Sequence, residues 1–244
     1  MEQSFTAILL MAGIGSRLGN SKPKQFHLLG SKKIYLHTLE TFLTSALFQQ
    51  IILVCHPDWI DEVKNEIPSN ETITVIPGGS TRQESSFLGL QGCNKAAQFV
   101  MIHDAVRPFV SHEILKRNIE AALKYRAVDT CIPSTDTIVH TESKEFIKSI
   151  PARKNYQRGQ TPQTFDYQLI GEAHQKTRTT ASTDDCSLVL ELGHPVAIVQ
   201  GSEENIKITT KIDLLLAHAI YEKKRLNLIS LEQKNSPQEF LHQS

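Results

Sequence analysis

The sequence predicts an α/β fold built on a mostly parallel central sheet, and three observations carry that prediction. Apolar runs rich in β-branched residues recur at Thr6–Met11, Gln50–Cys55, Thr72–Ile76, Phe99–His103 and Val128–Pro133. Stretches with helical spacing lie between them, and a chain of 244 residues can bury one substantial core. Strands that alternate with helices read as βαβ units, whose strands run parallel and are buried on both faces.

Taken in order, the first strand leads straight into a glycine-bearing turn. Tyr35–Leu47 places Leu39, Phe42, Leu43 and Leu47 on one face and reads as a helix. Ser111 supplies the N-cap of another, in which Leu115, Ile119, Ala122 and Leu123 recur at helical spacing. After the fifth strand the pattern changes to short alternating segments, Thr137, Ile138, Val139 and then Phe146, Ile147, Lys148, predicting a hairpin inserted over Ser134–Ala152. A hairpin holds too little core to stand alone in water, and a second subunit is the simplest body for it to pack on. Two late helices begin with capping boxes, Ser182 with Asp185 and Thr210 with Asp213, and Gly193 with Pro195 ends the first of them. The expected organisation is a main domain over residues 1–226 that carries an arm at 134–156, followed by a polar extension at 227–244.

Charge narrows the function. Lysine and arginine total 26 and aspartate and glutamate total 26, so no global field draws nucleic acid or an anionic membrane. Any phosphate chemistry must come from local clusters. Cys55, Cys93, Cys131 and Cys186 are scattered, with no CxxC pair and no histidine at zinc-finger spacing; they read as reduced, packed thiols, and no metal ligand set is expected. The apolar stretch Phe5–Ala12 is too short to cross a bilayer and lacks the flanks of a secretory signal, so a cytoplasmic protein is expected.

The chemistry is concentrated after the first strand, in Ala12-Gly13-Ile14-Gly15-Ser16-Arg17-Leu18-Gly19 and then Lys22-Pro23-Lys24-Gln25. Glycines at a strand-to-loop turn let backbone N–H groups approach a polyphosphate, and cationic side chains complete the cradle. A dinucleotide-binding fingerprint does not fit: Pro23 interrupts the required helix, and the second strand ends in Cys55-His56-Pro57 rather than in an acid. A P-loop does not fit either, because no Gly-Lys-Ser or Gly-Lys-Thr follows. What remains is a loop that offers Arg17 and Lys24 to phosphates.

Six segments then stand in a recognisable order: Ala12-Gly13-x-Gly15-x-Arg17, Pro23-Lys24-Gln25, Gly78-Gly79-x-x-Arg82-x-x-Ser85, His103-Asp104-Ala105-Val106-Arg107-Pro108, Thr161-Pro162-Gln163 and Asn205-Ile206-Lys207-Ile208-Thr209. Together they resemble the 2-C-methyl-D-erythritol 4-phosphate cytidylyltransferase family over nearly the whole chain up to the final helix. The resemblance implies a Rossmann-like sheet, use of CTP with Mg²⁺ held mainly by its phosphates, release of pyrophosphate, and a homodimer whose arms cross to the partner. It implies that Arg17, Lys24 and Lys207 form the catalytic set around the reacting phosphates, and that Ala12, Gly13, Gly15, Gly79, Arg82, Ser85 and Asp104 hold the nucleotide. Asp104, Arg107, Thr137, Arg153, Thr161 and Lys207 would hold the acceptor, a sugar-alcohol phosphate, with Thr137 and Arg153 donated by the partner's arm. A ribitol 5-phosphate cytidylyltransferase is a sister activity that shares the first loop and the stretch Gly159–Gln163, whereas the run Gly79–Ser85 leans toward the erythritol enzyme. A non-catalytic nucleotide-binding module would be marked by loss of Arg17, Lys24 or Lys207, and all three are present.

Several of these residues also have plainer readings. Asp104 alone would serve as a turn cap, yet it ends a strand where open α/β sheets place ligands. His103 is expected to pack rather than react, because an anionic acceptor asks for no imidazole. Asp184 and Asp185 suggest a metal carboxylate pair, but the capping box accounts for Asp185. Lys207, between Ile206 and Ile208, is expected on a strand with its side chain opposite the core. Met11, Val106 and Cys186 depart from the family's usual residues beside contact positions, which bears on substrate fit rather than on reaction class.

Overall fold

The computed structural model of the chain describes residues 3–13, 22–177 and 182–235. β1 (Phe5–Met11) is buried along its whole length, as an unbroken apolar run in a central parallel strand must be. A short ribbon, β2 (Leu28–Leu29) and β3 (Lys32–Lys33), precedes α1 (Ile34–Ser45), which returns the chain to β4 (Gln50–Cys55). Then follow α2 (Ile60–Glu66), β5 (Ile73–Pro77), α3 (Arg82–Gln91), β6 (Phe99–Asp104), α4 (His112–Tyr125) and β7 (Ala127–Pro133). The inserted arm holds β8 (His140–Thr141) and β9 (Ile147–Ser149), after which come β10 (Gln157–Asp166), α5 (Tyr167–Lys176), α6 (Asp185–Glu191), β11 (Ala197–Gln200) and α7 (Lys211–Asn235).

Among the described residues the main sheet has seven strands in the order β11-β7-β10-β6-β1-β4-β5. Every neighbouring pair is parallel except the two made by β10, which runs antiparallel to both β6 and β7. The chain builds outward from β1 through β4 to β5 and then crosses to the other side of β1 with β6. Where strand order reverses in this way, the flanking loops part and leave a crevice beyond the carboxyl ends of the strands.

Side chains alternate along β1 into two cores. Phe5, Ala7, Leu9 and Met11 pack with Tyr35, Leu39 and Phe42 of α1 and Ile114 and Leu115 of α4, whereas Ile8 and Leu10 pack with residues of α3, α5 and α6. A third cluster joins Leu29, Ile34 and Phe109 to Ala217 and Ile220, which docks α7. No helix among the described residues is long and apolar enough to cross a membrane.

The local signals hold in most places. Ser111 caps α4, its hydroxyl accepting from the Ile114 N–H at 3.3 Å. Thr210 and Asp213 form the reciprocal box: the Asp213 N–H donates to Thr210 Oγ1 at 3.2 Å, and the Thr210 N–H to Asp213 Oδ2 at 2.7 Å. Three readings need correction. Asp184, not Ser182, caps α6 by accepting from the Ser187 N–H, and Asp185 turns inward because the Arg82 guanidinium and the buried Ser86 hydroxyl offer it stronger bonds than the helix end does. Leu123, grouped by its spacing with Leu115 and Ala122, is 44% exposed, and the buried residues of α4 are Ile114, Leu115, Asn118 and Ala122. Lys207 lies on an extended segment outside the sheet, although Ile206 and Ile208 still pack inward on either side of it. In the arm, pairing begins at His140, and Phe146, Ile147 and Ile150 are exposed. α7 continues through Leu226 to Asn235 without a break.

Candidate active site

A cleft of about 450 Å³ opens beyond the carboxyl ends of β1, β4 and β6. Met11, Ala12 and Gly13 line it from the end of β1, Gly79 from the turn between β5 and α3, and Arg82 and Ser85 from the first turn of α3. Lys24, Asp104 and Lys207 add charged groups to the lining, and Gln25, His56, Ser80 and Thr81 add neutral polar ones.

The glycine side is held by a set of hydrogen bonds anchored on a buried amide. Gln25 is 1% exposed, and its amide donates to the Met11 carbonyl at 2.6 Å and the Gly13 carbonyl at 3.1 Å, fixing the direction in which the chain leaves β1. At Gly78 a Cβ would sit 2.3 Å from the Ala12 Cβ, so only glycine lets the two turns meet. Ser85 Oγ accepts from the Gly79 N–H at 3.1 Å and donates to the Thr81 carbonyl at 2.9 Å, and Thr81 caps α3 through the Glu84 N–H.

The charged side centres on Asp104, which is 6% exposed at the end of β6. Lys207 Nζ stands 2.8 Å from its Oδ2, Arg107 Nε 3.7 Å from the same oxygen, and Arg82 Nε 3.7 Å from Oδ1. Burial alone would raise the Asp104 pKa, but Lys207, Arg82 and Arg107 overcome that effect and hold the carboxyl well below the usual range, so it is ionised at neutral pH. Behind it, the Asp104 N–H donates to Thr161 Oγ1 at 3.1 Å, and the Thr161 hydroxyl meets His103 Nδ1 at 3.0 Å. With that hydroxyl donating, His103 Nδ1 is the acceptor and Nε2 carries the proton, directed at the Arg107 carbonyl at 3.2 Å. Burial lowers the His103 pKa to about 4, which keeps the ring neutral and makes it a strut. Asn205, fully buried, ties the Lys207 segment to this group: its amide donates to the Thr161 carbonyl at 2.8 Å, and its own carbonyl accepts from Arg107 Nη1 at 2.8 Å.

A cleft at a strand-order reversal that presents backbone turns, one ionised carboxylate and several cations suits a nucleotide and a second anion. A model of the 2-C-methyl-D-erythritol 4-phosphate cytidylyltransferase family matches residues 5–223. The chain belongs to that family. Among solved structures it is similar to the 4-diphosphocytidyl-2C-methyl-D-erythritol synthase of Anaerococcus prevotii, at 31% identity and a TM-score of 0.81, over 90% of this chain and 96% of that one. It is also similar to the 2-C-methyl-D-erythritol 4-phosphate cytidylyltransferase of Thermus thermophilus, at 31% identity and a TM-score of 0.72, over 88% and 98% of the two chains. The Francisella tularensis enzyme of the same name matches at 28% identity and a TM-score of 0.76, over 88% and 98%.

As a member of the cytidylyltransferase family the chain is a nucleotidyltransferase, and the family's substrates are CTP and methylerythritol phosphate. Of the residues singled out in the sequence, Ala12, Gly13, Gly79, Arg82 and Ser85 meet in the cleft with Lys24, Asp104 and Lys207. Arg107 and Thr161 stand against Asp104 without lining that space. Thr137 and Arg153 lie on the arm and are not among the cleft residues; Arg153 Nη1 donates to the Thr135 carbonyl at 2.7 Å. Gly15 and Arg17 lie outside the described residues.

Three contributors had no site role assigned from the sequence. Gln25 and Asn205 sat inside family motifs but gave no sign that their amides would stitch segments together. Asp185 was read as a cap, yet its carboxylate is 1% exposed and takes Arg82 Nη1 at 2.6 Å.

Proposed function

We propose that the chain transfers the cytidylyl group of CTP to 2-C-methyl-D-erythritol 4-phosphate in the cleft beside β1 and β6, releasing pyrophosphate. The observation that carries this reading is the buried Asp104 ringed by Lys207, Arg82 and Arg107 beside the Gly13 and Gly79 turns. An ionised carboxylate only accepts hydrogen bonds and so suits sugar hydroxyls, while the surrounding cations suit phosphates. The backbone of Ala12, Gly13 and Gly79, with Ser85 holding the second turn, receives the nucleotide. Asp104, Arg107 and Thr161 receive the acceptor.

In the reaction an oxygen of the acceptor's phosphate attacks the α-phosphorus of CTP, and the bond from that phosphorus to the departing pyrophosphate breaks. The attacking group is already an anion, so no general base is required. Catalysis then rests on alignment and on neutralising charge that builds on the phosphoryl oxygens. Lys24 and Lys207 supply compact positive charges, and Arg17, from its place in the family motif, supplies a planar fork.

Magnesium belongs to the same proposal. Asp104 is the one carboxylate that lines the cleft among the described residues, and no group of three or more His, Cys, Asp or Glu there forms a ready metal cage. That donor set fits an ion carried by the triphosphate, with Asp104 as the available protein oxygen. When bound, the ion would neutralise charge on the transferring and leaving groups.

A homodimer is also proposed. Phe146, Ile147 and Ile150 expose apolar surface on an arm with no core of its own, and seating it on a second copy brings Thr137 and Arg153 to the partner's acceptor side. Cytoplasmic residence accords with the free thiols of Cys55, Cys93, Cys131 and Cys186.

The deciding assay is pyrophosphate release from CTP and Mg²⁺ with methylerythritol phosphate and ribitol phosphate compared in parallel. Release that depends on methylerythritol phosphate is expected. Turnover confined to ribitol phosphate, or none with either acceptor, refutes the reading.

A further inference from the structure

Resting on the cytidylyl-transfer reading, we infer that Asp185, which does not line the cleft, is a positioning residue for the reaction and acts by holding Arg82. Asp185 is the first residue of α6, and its side chain is 1% exposed. Its two oxygens have separate tasks. Oδ1 accepts from Ser86 Oγ of α3 at 2.7 Å and lies 3.2 Å from His174 Nε2 of α5. Oδ2 takes Arg82 Nη1 at 2.6 Å. The Asp185 N–H also donates to Gln163 Oε1 of β10 at 3.3 Å, so four elements converge on this one residue.

Arg82 lines the cleft and stands between two carboxylates. Its close contact goes to Asp185, and its Nε remains 3.7 Å from Asp104 Oδ1. That asymmetry decides how charge is arranged in the site. With Asp185 drawing the guanidinium toward α6 through Nη1, Asp104 is left to pair with Lys207 at 2.8 Å. If the buried charge of Asp185 is removed, Arg82 is free to swing onto Asp104, compete with Lys207 and leave the place where it faces the nucleotide. A mutual attraction of this size falls only slowly with distance in a partly desolvated site, so the competition is real at both separations.

The test is a double-mutant cycle with Asp185→Asn and Arg82→Gln, read as the KM for CTP and as kcat in the pyrophosphate assay, with Ser86→Ala as a control. Asp185→Asn is expected to raise the KM for CTP about 10-fold, Arg82→Gln similarly, and the double variant no further than Arg82→Gln alone, since residues that act through one another are not additive. Ser86→Ala disturbs only the scaffold oxygen and is expected to lower Tm with KM unchanged. Independent, multiplying effects, an Asp185→Asn variant with normal KM, or an equal rise in KM in Ser86→Ala would each overturn the inference. Should Asp185→Asn fail to fold, Asp185→Glu, which keeps the charge and shifts it by one methylene, takes its place in the cycle, and a further rise of about fivefold or more on adding it to Arg82→Gln contradicts action through Arg82. If the unmodified protein releases no pyrophosphate, the functional reading fails by itself, and the same cycle is then read as CTP affinity by calorimetry.

Discussion

Replacing Lys207 with Met separates catalysis from stability more cleanly than any other change in the site. Asp104 faces cations at 2.8, 3.7 and 3.7 Å. At an effective dielectric of about 20 these contribute roughly 6, 4.5 and 4.5 kcal/mol of attraction, so Lys207 supplies about two-fifths of the total. The Lys207 side chain is 37% exposed, and solvent screening brings the net loss on its removal to about 1–2 kcal/mol. Arg82 and Arg107 remain, so Asp104 stays ionised at neutral pH and the protein stays folded, with Tm lowered by about 2–8 °C. On the proposed mechanism turnover has no such reserve: losing the Lys207 charge is expected to lower kcat about 10²–10³-fold.

The same variant makes a signed prediction about pH. Asp104 binds its proton less readily in the folded chain than in the unfolded one, so its contribution to stability is present above the ordinary carboxylate range and is lost as pH falls through it. Lys207→Met weakens that depression, so the acid-induced loss of stability becomes shallower. Urea unfolding from about pH 3 to pH 7, alongside pyrophosphate release at saturating CTP and acceptor, measures both effects. A kcat within about threefold of the unmodified enzyme, or a fall in activity fully matched by unfolded protein, would refute the reasoning.

Further changes test the frame around the site. Gln25→Leu leaves the Met11 and Gly13 carbonyls without their amide donor and should cost about 1–3 kcal/mol while raising the KM for CTP; an unchanged Tm and KM would show that the turn holds itself. Thr161→Val removes the acceptor of the Asp104 N–H and the donor to His103 in a shape-conserving way, and should lower stability by about 1–3 kcal/mol in chemical denaturation together with a weaker acceptor KM. Mixed dimers of Lys24→Ala and Arg153→Ala chains should regain part of the activity that each pure variant lacks, and activity no greater than that of the pure variants would argue against sites shared across the arm.

Five of the six parallel strands were legible, because a strand packed between helices writes itself as an apolar run, and those runs became β1, β4, β5, β6 and β7; β11, a short edge strand that is half exposed, wrote no such run. β10 was not legible, although it occupies the middle of the sheet. Its Gly159, Pro162 and polar neighbours are the residues that ordinarily mark loops, and a register shift between Gly159 and Gln163 absorbs them. Asp185 was misread for a subtler reason: two adjacent aspartates each fit a helix start, and only the folded chain shows which carboxylate a distant Arg82 claims. The motifs named the charged residues of the cleft, but not their partnerships, and His56, which also lines it, lay outside them. Asp104 draws on Arg82 and Lys207, 22 and 103 positions away, and no spacing rule reaches that far.

The reversed direction of β10 has an evolutionary implication. A parallel strand delivers only its last residues to the working edge of such a sheet, whereas a strand laid the other way brings its opening residues there, and with them whatever peptide precedes it. Both ends of the 134–156 excursion are therefore moored at one rim, where lengthening, shortening or reshaping it leaves the seven-stranded platform untouched.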